Sequence, residues 1–161
     1  MKAYKVFNHD WTCRDYQYEV GKSYHCDGKI ELCSNGFHAC EKASDCFNYY
    51  YFDSENHVAE VELSGTILTD NDGKSCASDI TISKEIDWQT VLKIVNDGKN
   101  CTGLRNSGNC NSGNWNSGDR NSGFFNTKEP KLMIFNKFTN KKREDIYFPS
   151  FLYFDLTTWV S

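Results

Sequence analysis

A five-residue repeat is the most regular feature of the chain. The tripeptide Asn-Ser-Gly begins at Asn106, Asn111, Asn116 and Asn121, and the same phase continues at Asn126. A strict short repeat indicates one local backbone shape that recurs at a fixed rotation. Glycine lets the backbone turn where a side chain would collide, and Asn and Ser can bond neighbouring backbone groups.

The period and the Asn-Ser-Gly core resemble the pentapeptide-repeat family, and that resemblance implies a square right-handed β-helix. Four units would make about one coil, which cannot bury a continuous core by itself. We therefore expect the coil to close a sheet of the same chain. A flexible linker is the alternative for such a composition. The strict phase and the insertions Trp115, Phe124 and Phe125 favour a folded coil.

The 161 residues suit one compact unit with a substantial core. Aromatic residues make up 15% of the chain and there are only two prolines, which is typical of a β-rich globular protein. Residues 1–100 carry 17 Asp and Glu against 10 Lys and Arg. An acidic half of this kind argues against a general nucleic-acid surface.

Eight cysteines would suit a secreted disulfide scaffold, but the chain opens without a basic and apolar leader. We therefore expect free thiols in the cytoplasm, where the chain would be soluble, with no membrane contact. The sequence leaves the oligomeric state open.

Alternating and apolar segments predict an α+β fold, mainly antiparallel sheet with two short helices. Strands are predicted over 2–7, 16–20, 29–32, 37–40, 58–63, 66–68, 77–82, 132–135 and 146–154, with a short closing segment at 157–160. Ser44 is expected to cap a helix that carries Phe47 and Tyr50, and Asp87 a helix over 87–96 that stops at Gly98. The predicted units are an α+β domain at 1–100, a repeat coil at 101–127 and a C-terminal strand segment at 128–161.

Several motifs along nearly the whole chain resemble small proteins of bacteriophages and prophages. The clearest are Gly36-Phe37-His38-Ala39-Cys40 and Asp45-Cys46-Phe47-Asn48-Tyr49-Tyr50, with further segments at 2–7, 20–24, 60–63 and 133–137 around the Asn-Ser-Gly repeat. The resemblance implies the cytoplasm of an infected or lysogenic bacterium and no particular mechanism.

Our leading hypothesis is an accessory protein that binds and inhibits a host protein, such as an antiviral defence factor, in the manner of an anti-CRISPR protein. Exposed aromatic side chains beside carboxylates suit such an interface. The predicted partner-binding residues are Tyr49, Tyr50, Tyr51, Phe52, Asp53 and Glu55. Alternate members are expected to be buried, and the others to anchor the partner. A structural role, with the repeat mediating self-association, is a further alternative.

An enzyme is the second hypothesis, because the order of strands and motifs is weakly similar to mono-ADP-ribosyltransferases. That resemblance implies NAD as cofactor, although no cofactor is required by the leading hypothesis. The positions implied are Lys5 or His9 near the early strand, Phe37 to His38 with Tyr49 in the middle, and Glu60, Glu62 or Glu85 as the carboxylate. The expected Arg or His of the early strand is missing. The carboxylate would stabilise the oxocarbenium-like sugar as nicotinamide leaves.

Thiols and imidazoles between positions 25 and 40 raise two further possibilities. His25, Cys26, Cys33, His38 and Cys40 could form a metal site, but no CxxC pair is present, so we favour buried thiols and an edge histidine. Cys40 could act as a nucleophile beside His38 or His57, although nothing in the sequence marks an oxyanion hole.

Overall fold

The computed structural model describes residues 1–147. In chain order the elements are β1 (Lys2–Phe7), β2 (Thr12–Cys13), β3 (Tyr16–Gln17), β4 (Ser23–His25), β5 (Phe37–Cys40), α1 (Ala43–Cys46), β6 (His57–Thr69), β7 (Lys74–Ile86), α2 (Trp88–Ile94), β8 (Met133–Ile134), β9 (Lys137–Phe138) and a 3-10 turn (Arg143–Asp145). The predicted fold class is confirmed: mostly antiparallel sheet, two short helices and a small C-terminal strand pair. No helix of the described residues is long and apolar enough to cross a membrane.

Five strands form one antiparallel sheet in the order β4-β7-β5-β1-β6. The long strands β6 and β7 also pair with each other as a hairpin, from Val58 to Thr69 on β6. Since β7 pairs with β5, β5 with β1 and β1 with β6, the pairing follows a closed circuit. One step of that circuit is weak, because β1 and β5 are joined only by Tyr4 opposite Cys40.

A bulge in β6 bends the long hairpin. The register shifts between Ser64 and Ile67, and Gly65 lies there with φ +72°. A Cβ at Gly65 would overlap the Ser78 hydroxyl, so only glycine fits this backbone shape. Bulges bend strands and increase their twist. The bend allows one end of the hairpin to pair with β1 and the other with β5.

The two faces of the sheet build two apolar cores. Ala3 and Phe7 of β1 belong to the first core, which also contains Tyr18, Phe37, Ala39, Ala59, Val61, Leu63, Ala77, Ile80 and Ile82. Val6 belongs to the second, with Cys40, Ala43, Cys46, Phe47, Val58, Ile86, Val91, Val95 and Leu104. Successive strand residues point to opposite faces. Lys5 therefore shares the face of Ala3 and Phe7, and its side chain is carried into the first core.

The repeat stacks with a period of ten residues. Asn116 donates its backbone and side-chain N–H groups to Asn106 Oδ1, and Asn126 does the same to Asn116 Oδ1. A square coil of four units would place partners about twenty residues apart. The predicted single square coil is therefore wrong, because two units complete each turn. The stack also begins earlier than predicted, since Asn106 donates to Asn96 Oδ1.

Glycines allow these turns to approach each other. A Cβ at Gly98 would overlap the carbonyl oxygen of Gly108, and one at Gly103 would overlap that of Gly113. Gly98 thus serves the stack, and α2 already ends at Ile94. The units that begin at Asn96 and Cys101 keep the phase and the glycine but lack serine, which is why the sequence motif did not include them.

The second column of the stack contains a defect. Asn121 donates its backbone N–H to Asn111 Oδ1, but the side chain one turn before Asn111 is Cys101, whose thiol donates to Gly108 O. Asn111 Nδ2 is buried and has no hydrogen-bond partner within the described part of the chain. In the other column the equivalent amide reaches the Asn oxygen of the preceding turn.

Several local predictions are confirmed and others are corrected. β1 and β5 have the predicted bounds, and Asp87 caps α2 by accepting from Thr90 N. The segments 58–63 and 66–68 belong to the single strand β6. Residues 29–32 form no strand, only a bridge between Glu31 and Asn35. Ser44 lies inside α1, a single turn that begins after Lys42, so it is not the cap.

The predicted C-terminal strand at 146–154 extends beyond residue 147, and the closing segment at 157–160 lies wholly outside the described residues. The division into units at residues 100 and 127 stays a prediction. Contacts do cross the first boundary: Arg105 Nη2 donates to Ser44 O at 3.1 Å and to Asn48 Oδ1 at 2.8 Å.

We predict that Cys101→Asn stabilises the protein. The new amide oxygen would accept from Asn111, and its Nδ2 would replace the thiol as donor to Gly108 O. Satisfying a buried amide contributes roughly 1 kcal/mol to the free energy of unfolding, which urea denaturation would measure. Cys101→Ser is the control, because its hydroxyl can replace the thiol but is too short to reach Asn111. Equal stability of the Asn and Ser variants would contradict this account of the defect.

Candidate functional site

A cavity of about 730 Å³ lies where β1 and β5 are joined by their single residue pair. Both strands contribute to its wall, through Lys5 on β1 and His38 on β5. The loop after β2 adds Arg14, and the start of β7 adds Lys74. The sheet thus opens into a concave site of the size usual for small-molecule ligands.

Lys5 is the most unusual residue of the cavity. It is only 5% exposed, and its ammonium donates to His38 O at 2.9 Å and to Cys13 Sγ at 3.4 Å. The ammonium also lies over the rings of Phe7 and Tyr18, 5.6 and 5.5 Å from their centroids. No carboxylate among residues 1–147 forms an ion pair with it. A buried cation with only neutral partners is costly unless an anion can approach it.

Cys13 lies between two donors. Tyr50 Oη donates to its sulfur at 2.7 Å, and Lys5 donates from the other direction. Burial is the main reason that the pKa of Tyr50 is raised, followed by this hydrogen bond, so Tyr50 keeps its proton and acts as a donor.

His38 lies in a positively charged environment. Burial is the first cause that lowers its pKa below the ordinary 6.5, and the nearby cations Lys5, Lys74 and Arg14 lower it further. Its Nε2 accepts a hydrogen bond from the backbone N–H of Cys33 at 3.0 Å, which requires an unprotonated nitrogen. The ring is therefore neutral, and its orientation depends on the loop that carries Cys33.

A second lysine lies at the edge of the cavity. Lys74 Nζ donates to Cys33 Sγ at 3.0 Å, lies 4.7 Å from the centroid of the Tyr49 ring and is 3.6 Å from Asp70 Oδ2. The hydrogen bond to Cys33 is the main cause that raises the pKa of Lys74, so the side chain carries its charge.

The cavity is positive in a protein whose net charge is −4. Lys5, Arg14 and Lys74 line it, whereas Asp15 is the one carboxylate in the lining that the described residues supply. Cations in a cleft with low-dielectric walls concentrate the field and attract anions. Aromatic rings complete the wall, with Tyr16 5.7 Å and Tyr18 6.3 Å from Phe37 in edge-on contact. The site suits a ligand that combines negative charge with a planar ring.

The structure places some of the residues predicted for a transferase in the cavity lining and others outside it. Lys5, His38 and Tyr49 line the cavity together. Glu60 and Glu62 are exposed on β6 and are not part of the lining. Glu85 Oε1 accepts a hydrogen bond from His57 Nδ1 at 2.6 Å, and the carbonyl of His9 contacts the other nitrogen of that ring at 3.1 Å.

The five residues considered for a metal site also line the cavity: His25, Cys26, Cys33, His38 and Cys40. They do not form a ligand cluster, since no group of three or more His, Cys, Asp or Glu side chains within residues 1–147 is placed to hold a metal ion. Cys40 is buried, and its pKa is lowered mainly by a hydrogen bond from Cys46.

The predicted partner-binding segment lies beside the cavity and alternates as expected. Tyr49 is 51% and Tyr51 91% exposed, and Asp53 and Glu55 are exposed as well. Tyr50 and Phe52 are half-buried and pack against the second core.

Sequence reasoning missed the importance of Cys13, Arg14 and Lys74. Lys74 lies far along the chain from Cys13 and Arg14, so the sequence does not show that these residues meet in one cavity. One signal was available for Lys5, since a lysine between Ala3 and Phe7 occupies an inward position of an alternating strand.

Residues 1–94 match the family model described as a domain of unknown function, DUF7666. The chain belongs to this family. Every residue that lines the cavity falls between positions 4 and 74, so the cavity is wholly inside the DUF7666 domain. The stack of turns from Asn106 onward lies beyond the matched region. No curated protein and no solved structure matches the chain.

We predict that His38 weakens the fold in acid. Its folded-state pKa lies below the unfolded value, so the unfolded chain takes up the proton first as the pH falls through 6.5, and stability is lost. Relative to His38→Gln, whose amide oxygen can still accept from Cys33 N–H, the wild-type melting temperature should fall as the pH is lowered.

His25 provides a control of opposite sign. The hydrogen bond with Asp79 raises its pKa, so its contribution is fully present below 6.5 and is lost as the pH rises through the folded-state pKa. Relative to His25→Gln, the wild-type melting temperature should therefore rise in acid. Thermal unfolding over a pH series measures both differences, and parallel curves for wild type and His38→Gln would show that His38 has no such effect.

Proposed function

We propose that the DUF7666 domain binds an anionic ligand with a planar ring in the cavity between β1 and β5, and that this ligand is a dinucleotide such as NAD. The weak resemblance to mono-ADP-ribosyltransferases supports this choice. Lys5 and His38 occupy the positions that the resemblance implies, and both line the cavity with Tyr49.

The observation that carries the proposal is the buried ammonium of Lys5. Its partners are a carbonyl oxygen, a sulfur and two rings, and none of them carries a carboxylate. Burial of a lone cation costs several kcal/mol in principle, and an anionic group entering the cavity would offset that cost. A phosphate of the ligand would meet this need.

The remaining lining supports the other parts of such a ligand. Arg14 and Lys74 provide further cations for a diphosphate, which carries charge on several oxygens. The Tyr49 ring and the edge-on group around Phe37 provide apolar surfaces for planar rings. A cavity of about 730 Å³ lies within the range that encloses drug-sized ligands.

Transfer chemistry would need a carboxylate near the ribose. Glu60 and Glu62 lie outside the lining, so in a transferase this role would fall to Asp15. The proposal is therefore argued on binding, and an enzymatic activity would be an addition to it.

We predict that millimolar NAD raises the melting temperature of the wild-type protein, because a ligand that binds only the native state stabilises it. Lys5→Met should abolish the shift. The quantity compared is the change that NAD causes in each variant, so any effect of the substitution on the unliganded protein cancels.

The matched control is Lys93→Met, which removes an exposed cation of α2 that does not line the cavity. It should keep the full NAD shift. The binding proposal fails if wild type shows no shift, or if Lys5→Met responds to NAD as strongly as Lys93→Met does.

A second candidate function is inhibition of a host component by a phage or prophage accessory protein. The specific observation in its favour is Tyr51, which is 91% exposed beside the exposed carboxylates Asp53 and Glu55. Large exposed aromatic side chains are common anchors of protein interfaces. The neighbouring Phe52 holds this segment on the domain, since its ring lies 4.8 Å from Phe47 and 4.9 Å from Trp88.

We predict that Tyr51→Ala loses the partner captured by the tagged wild-type protein from bacterial lysate, with no change in melting temperature. Phe52→Ala should instead cost about 2 kcal/mol of stability, because it removes a half-buried ring. Mass spectrometry identifies the captured protein. Capture that survives Tyr51→Ala would rule out this surface, and a recurrent ADP-ribose adduct on one host protein would favour the enzyme.

A further inference from the structure

The cysteines differ in their hydrogen bonds. Four thiols donate to oxygen atoms, and these are Cys26, Cys46, Cys76 and Cys101. The sulfurs of Cys13 and Cys33 each accept a hydrogen bond from a lysine ammonium. Both of these sulfurs line the cavity.

The two lysine–cysteine pairs differ in access. Cys33 is exposed, and Lys74 Nζ lies 3.0 Å from its sulfur. Cys13 is half-buried, and Lys5 lies 3.4 Å and Tyr50 Oη 2.7 Å from its sulfur. After burial, the charges of the same two lysines help to lower the pKa of His38, which also lines the cavity.

Reactive cysteines occupy electropositive and partly exposed surroundings, whereas buried structural cysteines are inert. Cys40, Cys46, Cys76 and Cys101 are buried, and the hydrogen bond to Cys40, followed by burial, raises the pKa of Cys46. Cys110 is exposed but has no ammonium within hydrogen-bond distance among the described residues. Within residues 1–147, only Cys13 and Cys33 combine a lysine ammonium at hydrogen-bond distance with access to solvent.

We propose that Cys13 and Cys33 are nucleophiles that make the cavity a covalent modification site for small electrophiles and hydroperoxides. With hydrogen peroxide, the sulfur gives its proton to solvent and attacks one peroxide oxygen. The S–O bond forms, the O–O bond breaks, hydroxide leaves and takes up a proton, and the cysteine becomes a sulfenic acid. Cys33 reacts first because it is the exposed member.

Modification has a consequence for ligand binding, and this part rests on the proposed function. An added group on Cys33 or Cys13 occupies the space beside Lys74 or Lys5 that an anionic ligand would use. Oxidation would therefore close the cavity to NAD, and a thiol reductant would reopen it by returning the sulfenic acid to the thiol.

The experiment is a time course of iodoacetamide labelling near neutral pH, followed by digestion and peptide mass analysis of each cysteine. Cys33 should be labelled several-fold faster than Cys110, which is also exposed and serves as the internal control. In Lys74→Met that advantage should vanish, and in Lys74→Arg it should remain. Slow labelling of Cys76 in the same digests shows that each variant is folded.

Equal rates for Cys33 and Cys110 in wild type would overturn the proposal, as would an unchanged advantage in Lys74→Met. Peroxide treatment with dimedone trapping should place the adduct on Cys33, and a preference for Cys110 would also overturn it. None of these readouts involves NAD. If the wild-type protein binds NAD but Cys33 is labelled slowly, the modification site is refuted and the proposed function stands. If Cys33 is labelled fast but NAD does not shift the melting temperature, the proposed function is refuted and the modification site stands.

Discussion

The site depends on the ammonium of Lys5, which links β1 to β5 through its hydrogen bond to His38 O. β1 and β5 share a single residue pair, and beyond it the Lys5 side chain reaches across to His38 O in place of further strand pairing. The opening between the strands and the cation that bridges it are therefore one feature. The remaining cavity groups are arranged around this cation. Cys13 and Tyr18 contact it, and its charge helps to lower the pKa of His38. A methylene chain that crosses an apolar core can place a charge at its far end, which is how lysine serves here.

The stack of turns uses a different kind of interaction. Asn106 and Asn116 each accept and donate at an interval of ten residues, and glycine keeps the backbones close enough for these bonds to form. Such a stack needs a base, and Asn96, two residues after the end of α2, provides it. Leu104 enters the second core and Arg105 reaches α1, so the first turns are anchored on the sheet. The first turns of the repeat are thus packed on the sheet, although the repeat lies beyond the residues that match DUF7666.

Local sequence patterns predicted the individual strands and helices better than they predicted how these elements are connected. The alternation at residues 2–7 and 37–40 and the cap at Asp87 were correct because each depends on neighbours in sequence. The merger of two predicted strands into β6 was missed, since Gly65 resembles a strand end and is in fact a bulge. The ten-residue period was also missed. A five-residue motif specifies the shape of one unit, but the number of units in a turn depends on which units contact each other.

The sequence by itself determined the antiparallel α+β class, the phase of the Asn-Ser-Gly units and the alternation of buried and exposed rings at residues 49–52. These follow from periodicity and from the limits that glycine and asparagine place on the backbone. The tertiary structure alone decided that residues from positions 4 to 74 surround one cavity, that Glu60 and Glu62 lie outside it, and that two of eight cysteines face lysines. Such arrangements depend on strand pairing between distant segments, and the physical reason that sequence does not reveal them is that burial and charge pairing arise only when those segments meet.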